Sequence, residues 1–193
     1  MQDDLKHNNN DASEDVPNWT RELPVQFWDP GPKLLLAIRR YQYWLEKSGF
    51  FPSIICKWCV LRHRFWSVIS GAEIPLSCRI GGGLLIRHPN GIVIHPEAQI
   101  GVNCLIFQQV TIGTRGRPGV PQIGSHVDIG AGAKILGAVR IGAHARIGAN
   151  AVVLSDVPSG AVAVGIPAKI SNRSASSPSK GVHKQESCPV KTT

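Results

Sequence analysis

The stretch VDIGAGAKILGAVRIGAHARIGANAVVL, residues 127–154, places an aliphatic residue at every sixth position. The same period extends outward in both directions, through Ile74, Ile80, Ile86, Ile94, Ile100, Ile106, Ile112, Ile123, Ile129, Ile135, Ile141, Ile147 and Val153. An amphipathic helix has a period of about 3.6 and a strand a period of about 2, so neither explains this spacing. A longer fixed period is typical of a solenoid, and the pattern predicts a parallel β-helix whose coils stack their aliphatic faces into one core.

A second pattern runs alongside the first. The residue four places after an aliphatic position is small or β-branched, as at Cys78, Cys104, Val127 and Ala133, and we expect these side chains to be buried at corners. Glycine directly follows the aliphatic residue at Gly81, Gly101, Gly113, Gly124, Gly130, Gly142 and Gly148. We attribute these glycines to unusual backbone angles where each short strand turns a corner.

The repeat breaks twice. Ile86 and Ile94 are two residues too far apart, and His88 lies in this break beside a Pro-Asn-Gly turn. Between Ile112 and Ile123 the polar segment TRGRPGVPQ is inserted. Insertions in a solenoid usually map to its working face, so we expect the functional site at these breaks.

The segment before the repeats is predicted to be helical. Residues 33–48 have apolar side chains at helical spacing and are followed by Gly49, and a second helix is predicted from about 52 to 70. The second helix is too charged to span a bilayer. An aromatic, arginine-bearing helix pair also fits a membrane surface, but packing against the rest of the protein is the favoured interpretation.

The predicted fold class is therefore mainly β, with two α-helices before a β-helix. We expect a disordered tail at 1–20, a helical segment at 21–72, the β-helix at 73–170 and a disordered tail at 171–193.

Composition restricts the function classes. The N-terminal residues lack the apolar core of a signal peptide, and five cysteines without a disulfide framework indicate reduced thiols, so we expect a cytoplasmic protein. The Cys56–Cys59 pair is interpreted as core packing, and no metal site is predicted. The net charge of +8 suggests an anionic partner. Nucleic acid is not favoured, because no groove-entering motif is present.

The Ile-Gly-x-x-Ala-x repeat resembles that of the hexapeptide-repeat acyltransferases, whose fold is a left-handed β-helix with three sides. Within this superfamily, residues 73–170 are similar to the serine acetyltransferase family. The segments that carry the similarity are IRHPNGIVI (86–94), the QQVTIG that ends at Gly113, the stretch at 127–154, and VGIPAKI (164–170). The resemblance implies a homotrimer that uses acetyl-CoA as co-substrate and binds it between neighbouring prisms.

The resemblance also assigns catalytic roles. It implies that His88 is the general base and that Glu73, fifteen residues earlier where the family has aspartate, pairs with it. Acyl transfer to a hydroxyl requires such groups whether or not the resemblance holds, because a hydroxyl attacks a thioester at neutral pH only when a base accepts its proton. A carboxylate then fixes the imidazole tautomer and stabilises the imidazolium.

Further positions follow from the same motif match. Gly113 and Thr114 are expected to flank the thioester arm of acetyl-CoA, while Ala131 and Ala149 leave room for the pantetheine chain. Lys169 is expected to meet the adenosine phosphates.

The sequence departs from the family where the acceptor is held. Arg87 replaces an aspartate beside the general base, and the family's Arg-His pair is missing from 115–121. A cation there disfavours the ammonium group of serine and favours a carboxylate or phosphate, so Arg87 is a predicted acceptor-binding residue. The helical segment is also shorter than in that family, and the last residue is not isoleucine. We therefore expect acetylation of a sugar hydroxyl in a polysaccharide or its precursor. The alternatives are serine O-acetylation and a non-catalytic β-helix scaffold.

Overall fold

The computed structural model describes residues 16–116 and 118–171. These ranges contain a short 3-10 helix, Trp19–Glu22, and two α-helices, α1 (Pro30–Leu45) and α2 (Phe50–Ser70). The strands that follow are β1 (Arg79–Ile80), β2 (Leu85–Ile86), β3 (Val93–Ile94), β4 (Gln99–Ile100), β5 (Leu105–Ile106), β6 (Thr111–Gly113), β7 (Gln122–Ile123), β8 (Asp128–Ile129), β9 (Lys134–Leu136), β10 (Arg140–Ile141), β11 (Arg146–Ile147), β12 (Val152–Val153), β13 (Val162–Val164) and β14 (Lys169–Ser171).

The strands form a three-sided prism. Sheet A contains β3, β6, β9 and β12, sheet B contains β1, β4, β7 and β10, and sheet C contains β2, β5, β8, β11, β13 and β14. Strands of successive coils pair in parallel with isoleucine above isoleucine, as in Ile80↔Ile100 and Ile100↔Ile123. Strand β14 differs, because it pairs antiparallel with β13. The predicted mainly β fold, a left-handed parallel β-helix after two helices, is confirmed.

Both repeat patterns point into the prism. Ile106, Ile112, Ile129 and Ile135 are 0 % exposed, as are corner residues such as Cys104 and Val127. Cys78 is equally buried, and burial raises the pKa of its thiol to about 12 and that of Cys104 to about 11. The prediction of two buried corner cysteines is confirmed.

The glycines after the aliphatic residues have a different role from the one predicted. Left-handed backbone angles occur two residues further on, as at Gly83, Asn103 and His126, the last two with φ of 57° each. All of these glycines except Gly113 are needed because successive coils are so close: a Cβ on Gly101 would lie 2.5 Å from the carbonyl carbon of Gly124. The prediction of unusual backbone angles at these glycines is therefore wrong.

The left-handed position also explains two histidines. His126 and His144, with φ of 57° and 59°, occupy it in successive coils, and their rings stack with centroids 4.8 Å apart. These two side chains thus occupy a left-handed corner position that glycine takes elsewhere, as at Gly83.

Helix α1 closes one end of the β-helix. Leu34, Leu35 and Ile38 are buried in the same core cluster as the isoleucine ladders. Arg39 donates to the carbonyl of Gly81 at 2.7 Å and Gln42 to that of Cys78 at 2.9 Å. These carbonyls belong to the first coil, which has no preceding coil to pair with, so α1 supplies the missing hydrogen bonds.

The N-terminal segment begins to contact the β-helix earlier than predicted. Asn18 donates its backbone N–H to Asn103 Oδ1 at 2.7 Å, and Asn103 Nδ2 donates to the carbonyl of Val16 at 2.9 Å. The predicted tail at 1–20 therefore ends too late, because residues 16–20 have specific partners. Residues 1–15 and 172–193, on which the rest of the two predicted tails falls, lie outside the described residues.

Helix α2 packs against α1 through one side, with Cys59, Trp66 and Ser70 buried. Cys59 is 3 % exposed, and Cys56 is half-buried with a free thiol. In the described part of the chain, no helix is both long enough and apolar enough to cross a membrane. The helix ends at Gly71, whose φ of 63° is the left-handed cap that releases the chain toward the first coil.

Candidate active site

Both breaks in the repeat border sheet A. The first, residues 87–92, joins β2 to β3 at the edge between sheets C and A, which we call edge CA. The second, residues 114–121, joins β6 to β7 at edge AB. Edge BC, between sheets B and C, consists of the regular corners 81–84, 101–104, 124–127 and 142–145. Sheet A, whose strands span two or three residues, therefore separates the two irregular edges.

His88 lies on edge CA in the first coil, and its side chain is exposed, as is that of Arg87. The backbone of the corner at 87–92 forms hydrogen bonds with the segments on both sides of it. Gly91, with φ of 71°, donates its N–H to the carbonyl of Gly71 at 2.8 Å, so the carboxyl end of α2 lies against it. Below it, Gln109 donates its N–H to the carbonyl of Asn90 at 2.9 Å. A histidine at this position is presented to solvent by a well-fixed backbone.

Glu73 forms the first rung of sheet A. Its N–H donates to the carbonyl of Ile92 at 2.7 Å, and its carbonyl accepts from Ile94 at 2.9 Å, which places it beside Val93. The backbone of Glu73 is therefore next to the corner that carries His88. Within residues 16–116 and 118–171, the two side chains form no hydrogen bond or ion pair with each other, and both are exposed. The structure thus brings their chain segments together without pairing the side chains.

Three of the predicted cofactor residues share edge CA with His88. Asn150 donates its N–H to the carbonyl of Ala131 at 2.8 Å, so the corners carrying Ala131 and Ala149 stack in consecutive coils. At the far end, Ala168 donates to the carbonyl of Val152 at 2.8 Å, and Lys169 follows it, exposed. With coils about 4.8 Å apart, His88 and Ala149 are separated by about 14 Å along this edge.

Gly113 and Thr114 lie at edge AB, on the other side of sheet A. The carbonyl of Gly113 accepts from the N–H of Gly137 at 2.9 Å. A Cβ placed on Gly113 would meet nothing within 4 Å, unlike the tightly covered Gly101. Gly113 therefore faces open space. One protomer does not bring these two residues to His88, because the width of sheet A separates them.

Gln108 is a candidate site residue that the sequence analysis missed. Its Oε1 atom is buried and has no hydrogen-bond partner in the described part of the chain. It lies on edge CA in the second coil, and its carbonyl accepts from Gly132 at 2.9 Å. The signal was present in the repeat, because Phe107-Gln108 replaces the Gly-Ala pair found at the next two corners of this edge. A buried acceptor without a donor is uncommon in folded proteins, which makes Gln108 a candidate for the site.

The chemistry available on edge CA is acid–base chemistry next to a fixed cation. The imidazole of His88 is solvent-accessible and adjacent in the chain to the guanidinium of Arg87. The described residues contain no group of three or more His, Cys, Asp or Glu side chains that could hold a metal ion. The arrangement suits proton removal from a hydroxyl.

Comparison with known proteins gives the following matches. The family model described as bacterial transferase hexapeptide (six repeats) matches residues 121–155. The chain is 44% identical over 157 residues to serine acetyltransferase of Synechococcus elongatus, covering 79% of this chain and 61% of that protein. It is 38% identical over 169 residues to serine acetyltransferase of Helicobacter pylori, covering 86% of this chain and 95% of that protein.

Solved structures of serine acetyltransferases also match the chain. Soybean serine acetyltransferase complexed with serine matches with a TM-score of 0.63 and 36% identity, covering 74% of this chain and 57% of that one. A serine acetyltransferase in complex with CoA matches with a TM-score of 0.62 and 33% identity, covering 75% of this chain and 57% of that one. The chain thus spans about three fifths of the length of the Synechococcus and soybean proteins.

Proposed function

Since this chain belongs to the serine acetyltransferase family, we propose that it transfers the acetyl group of acetyl-CoA to the hydroxyl of serine. The observation that carries the proposal is the match to the Helicobacter pylori enzyme, 95% of whose length the chain covers. The comparisons favour serine, which the sequence analysis held as the alternative, over the sugar acceptor that it preferred. None of the relatives named above is a polysaccharide acetyltransferase.

In the proposed mechanism, His88 accepts the hydroxyl proton while the serine oxygen attacks the thioester carbonyl of acetyl-CoA. The tetrahedral intermediate then collapses, the carbon–sulfur bond breaks, and the imidazolium returns the proton to the departing CoA thiolate. Glu73 is proposed to orient the ring and stabilise its charged form once substrates close the site.

Acetyl-CoA is proposed to lie along edge CA. Ala131 and Ala149 keep this edge free of large side chains, and Lys169 provides a cation at its far end for the phosphates. Gln108 Oε1, a buried acceptor without a partner in the described residues, is available to an amide N–H of the pantetheine arm. Each of these groups comes from a different coil of the same edge, which matches the extended shape of the co-substrate.

The complete site is proposed to form between subunits of a homotrimer. Gly113 and Thr114 lie across sheet A from His88 in one chain, so a second chain must bring its edge AB to the edge CA of the first. The open space at Gly113 and the exposure of His88 support this arrangement, because both surfaces are available for a shared groove.

Arg87 supports a second candidate. A guanidinium beside the general base attracts an anionic acceptor and repels an ammonium group. Acetylation of a sugar hydroxyl that carries a carboxylate or phosphate is therefore the second candidate function, and it would use the same His88 chemistry.

The test is a transfer assay with acetyl-CoA and, separately, serine, nucleotide sugars and short acidic oligosaccharides. Release of CoA thiol gives the rate, and mass spectrometry identifies the acetylated product. We expect thiol release with serine and the mass of O-acetylserine, with the His88→Ala variant as the blank. Transfer to a sugar without transfer to serine would select the second candidate, and no transfer to any acceptor would favour the non-catalytic scaffold.

The proposed compartment is the cytoplasm. The described cysteines Cys56, Cys59, Cys78 and Cys104 are free, and three of them are buried. Unpaired thiols suit a reducing compartment.

A further inference from the structure

Helix α2 exposes a continuous apolar stripe. Its large exposed side chains are Phe50, Phe51, Ile54, Trp58, Leu61, Phe65, Val68 and Ile69, with exposures from 41% for Ile69 to 82% for Val68. At about 100° per residue, all eight fall within an arc of about 100° around the helix. The buried residues Cys59, Trp66 and Ser70 lie on the opposite side, against α1. Within the described residues, no element covers this α2 stripe.

The loop before α1 also exposes apolar side chains, and it contacts the buried side of α2. Phe65 packs against Trp66 with ring centroids 5.1 Å apart, and Trp66 packs against Trp28 at 5.5 Å. In the same loop, Val25 is 90% exposed and Phe27 89%. Exposed apolar side chains therefore occur both on α2 and in this loop, which is more than scattered surface residues explain.

Basic residues border the α2 stripe on both sides. On the helical projection, Lys57 and Arg64 follow one margin and Arg62 the other, and α2 contains no aspartate or glutamate. Lys57 and Arg64 are exposed, and Arg62 is half-buried. Lys33 adds a further cation, with its Nζ 4.8 Å from the ring centroid of Phe27.

We propose that α2 lies in the surface of an anionic lipid bilayer, with its apolar stripe among the acyl chains and its basic margins among the headgroups. An apolar face bordered by lysine and arginine is typical of interfacial helices, and tryptophan is enriched at the membrane–water interface. The helix of 21 residues is about 31 Å long and carries too much charge to cross the bilayer, so it lies in the plane of the surface.

A second copy of the chain fits this face less well. Two α2 stripes packed together would bring Lys57, Arg62 and Arg64 of both copies toward each other, and α2 has no carboxylate to oppose them. Like charges across an interface disfavour association. Anionic headgroups supply the opposing charge that this surface lacks.

The test is flotation of the full chain with phosphatidylcholine vesicles that contain or lack phosphatidylglycerol. We expect binding to the anionic vesicles and little to the neutral ones. The Lys57→Glu/Arg64→Glu variant is expected to lower the partition coefficient by about tenfold or more, because each basic residue near an anionic surface contributes to binding. The matched control is Arg79→Glu/Arg140→Glu, which makes the same charge change at exposed positions of sheet B and is expected to bind as the parent does.

A second measurement does not depend on the charge variants. Brominated lipid is expected to quench the tryptophan fluorescence of the parent chain, and Trp58→Phe to reduce that quenching. Equal binding by the two charge variants, or absence of binding and quenching, would overturn the proposal. So would light scattering that shows an assembly dissociated by Trp58→Ser, since the α2 stripe would then be covered by a second copy.

Discussion

Edge BC and the Gly113 position of edge AB differ in how closely their coils stack. Along edge BC, a Cβ on Gly81, Gly101 or Gly124 would lie 2.5 to 2.8 Å from the backbone of the next coil. At Gly113, on edge AB, the same Cβ would meet nothing within 4 Å, and both breaks in the repeat border sheet A. Edge BC leaves no space for a ligand and supports the stack, whereas edge AB leaves open space at Gly113. Edge CA stacks tightly beyond its break, because a Cβ on Gly130 would lie 2.7 Å from the N atom of Ala149. The positions that support the stack and those proposed for chemistry thus differ within one prism.

The sharpest way to test this division is His88→Ala on edge CA. Turnover is expected to fall by about 10² to 10⁴-fold, because no other group on that edge replaces the general base. Thermal unfolding is expected to be unchanged, since the side chain is exposed. His95→Ala, at edge AB in the first coil, is the matched control and is expected to retain activity. Equal loss in both variants would remove the special role of His88.

On edge BC, which has no break, Gly101→Ala is expected to lower the stability of the fold, whereas His88→Ala lowers turnover. The added methyl group would lie 2.5 Å from the carbonyl carbon of Gly124, so two coils must separate. We expect the free energy of unfolding to fall by about 3 kcal/mol, as measured by urea denaturation. A stability equal to that of the parent would mean that the coils yield easily, and the comparison between the edges would fail.

The same glycine-to-alanine substitution at Gly113 tests whether edge AB differs from edge BC. Gly113→Ala is expected to leave the free energy of unfolding unchanged, because its Cβ points into open space. If acetyl-CoA passes there, its KM is expected to rise roughly tenfold, which corresponds to about 1.4 kcal/mol of lost binding. Steady-state kinetics with varied acetyl-CoA measures this, and an unchanged KM would exclude Gly113 from the cofactor path.

Substitution of Arg87 tests which acceptor substrate binds at edge CA. Arg87→Asp is expected to raise kcat/KM for serine several-fold, since replacing the cation with an anion removes the repulsion of the ammonium group. Arg79→Asp, an exposed position on sheet B, is the control. An unchanged rate with serine in the Arg87 variant would show that this side chain does not approach the acceptor.

The smallest expected effect is on the pH dependence of stability, through Cys104, which is buried behind edge BC. Burial raises the pKa of Cys104 from 9.0 to about 11, so its contribution to stability is complete below pH 9.0 and is lost as pH rises toward 11. One pH unit above the unfolded pKa, the loss is about 1 kcal/mol. Cys104→Val, which copies Val127 in the next coil, is expected to show a smaller decline of the free energy of unfolding. An identical decline in parent and variant would assign it to other groups.

Part of the candidate site could be predicted because it depends on local sequence. His88 stands out at a break in a regular repeat, and Ala131 and Ala149 follow the motif directly. Gln108 was missed because its unsatisfied oxygen is a property of its surroundings. The comparisons favour serine over the sugar acceptor that was inferred from Arg87 and the other departures from the family, because the match extends along most of the chain.

The sequence by itself determined the period of six, and with it the ladders of isoleucine, the buried corner cysteines and the β-helix. This was possible because each coil repeats the same residue types at the same positions. Only the tertiary structure decided why glycine follows isoleucine, which edges are interrupted, and which face of α2 stays uncovered. Those properties depend on how far apart two segments lie in space. The close approach of Gly101 to Gly124, and the exposure of a stripe whose opposite side packs on α1, arise only after the coils have stacked.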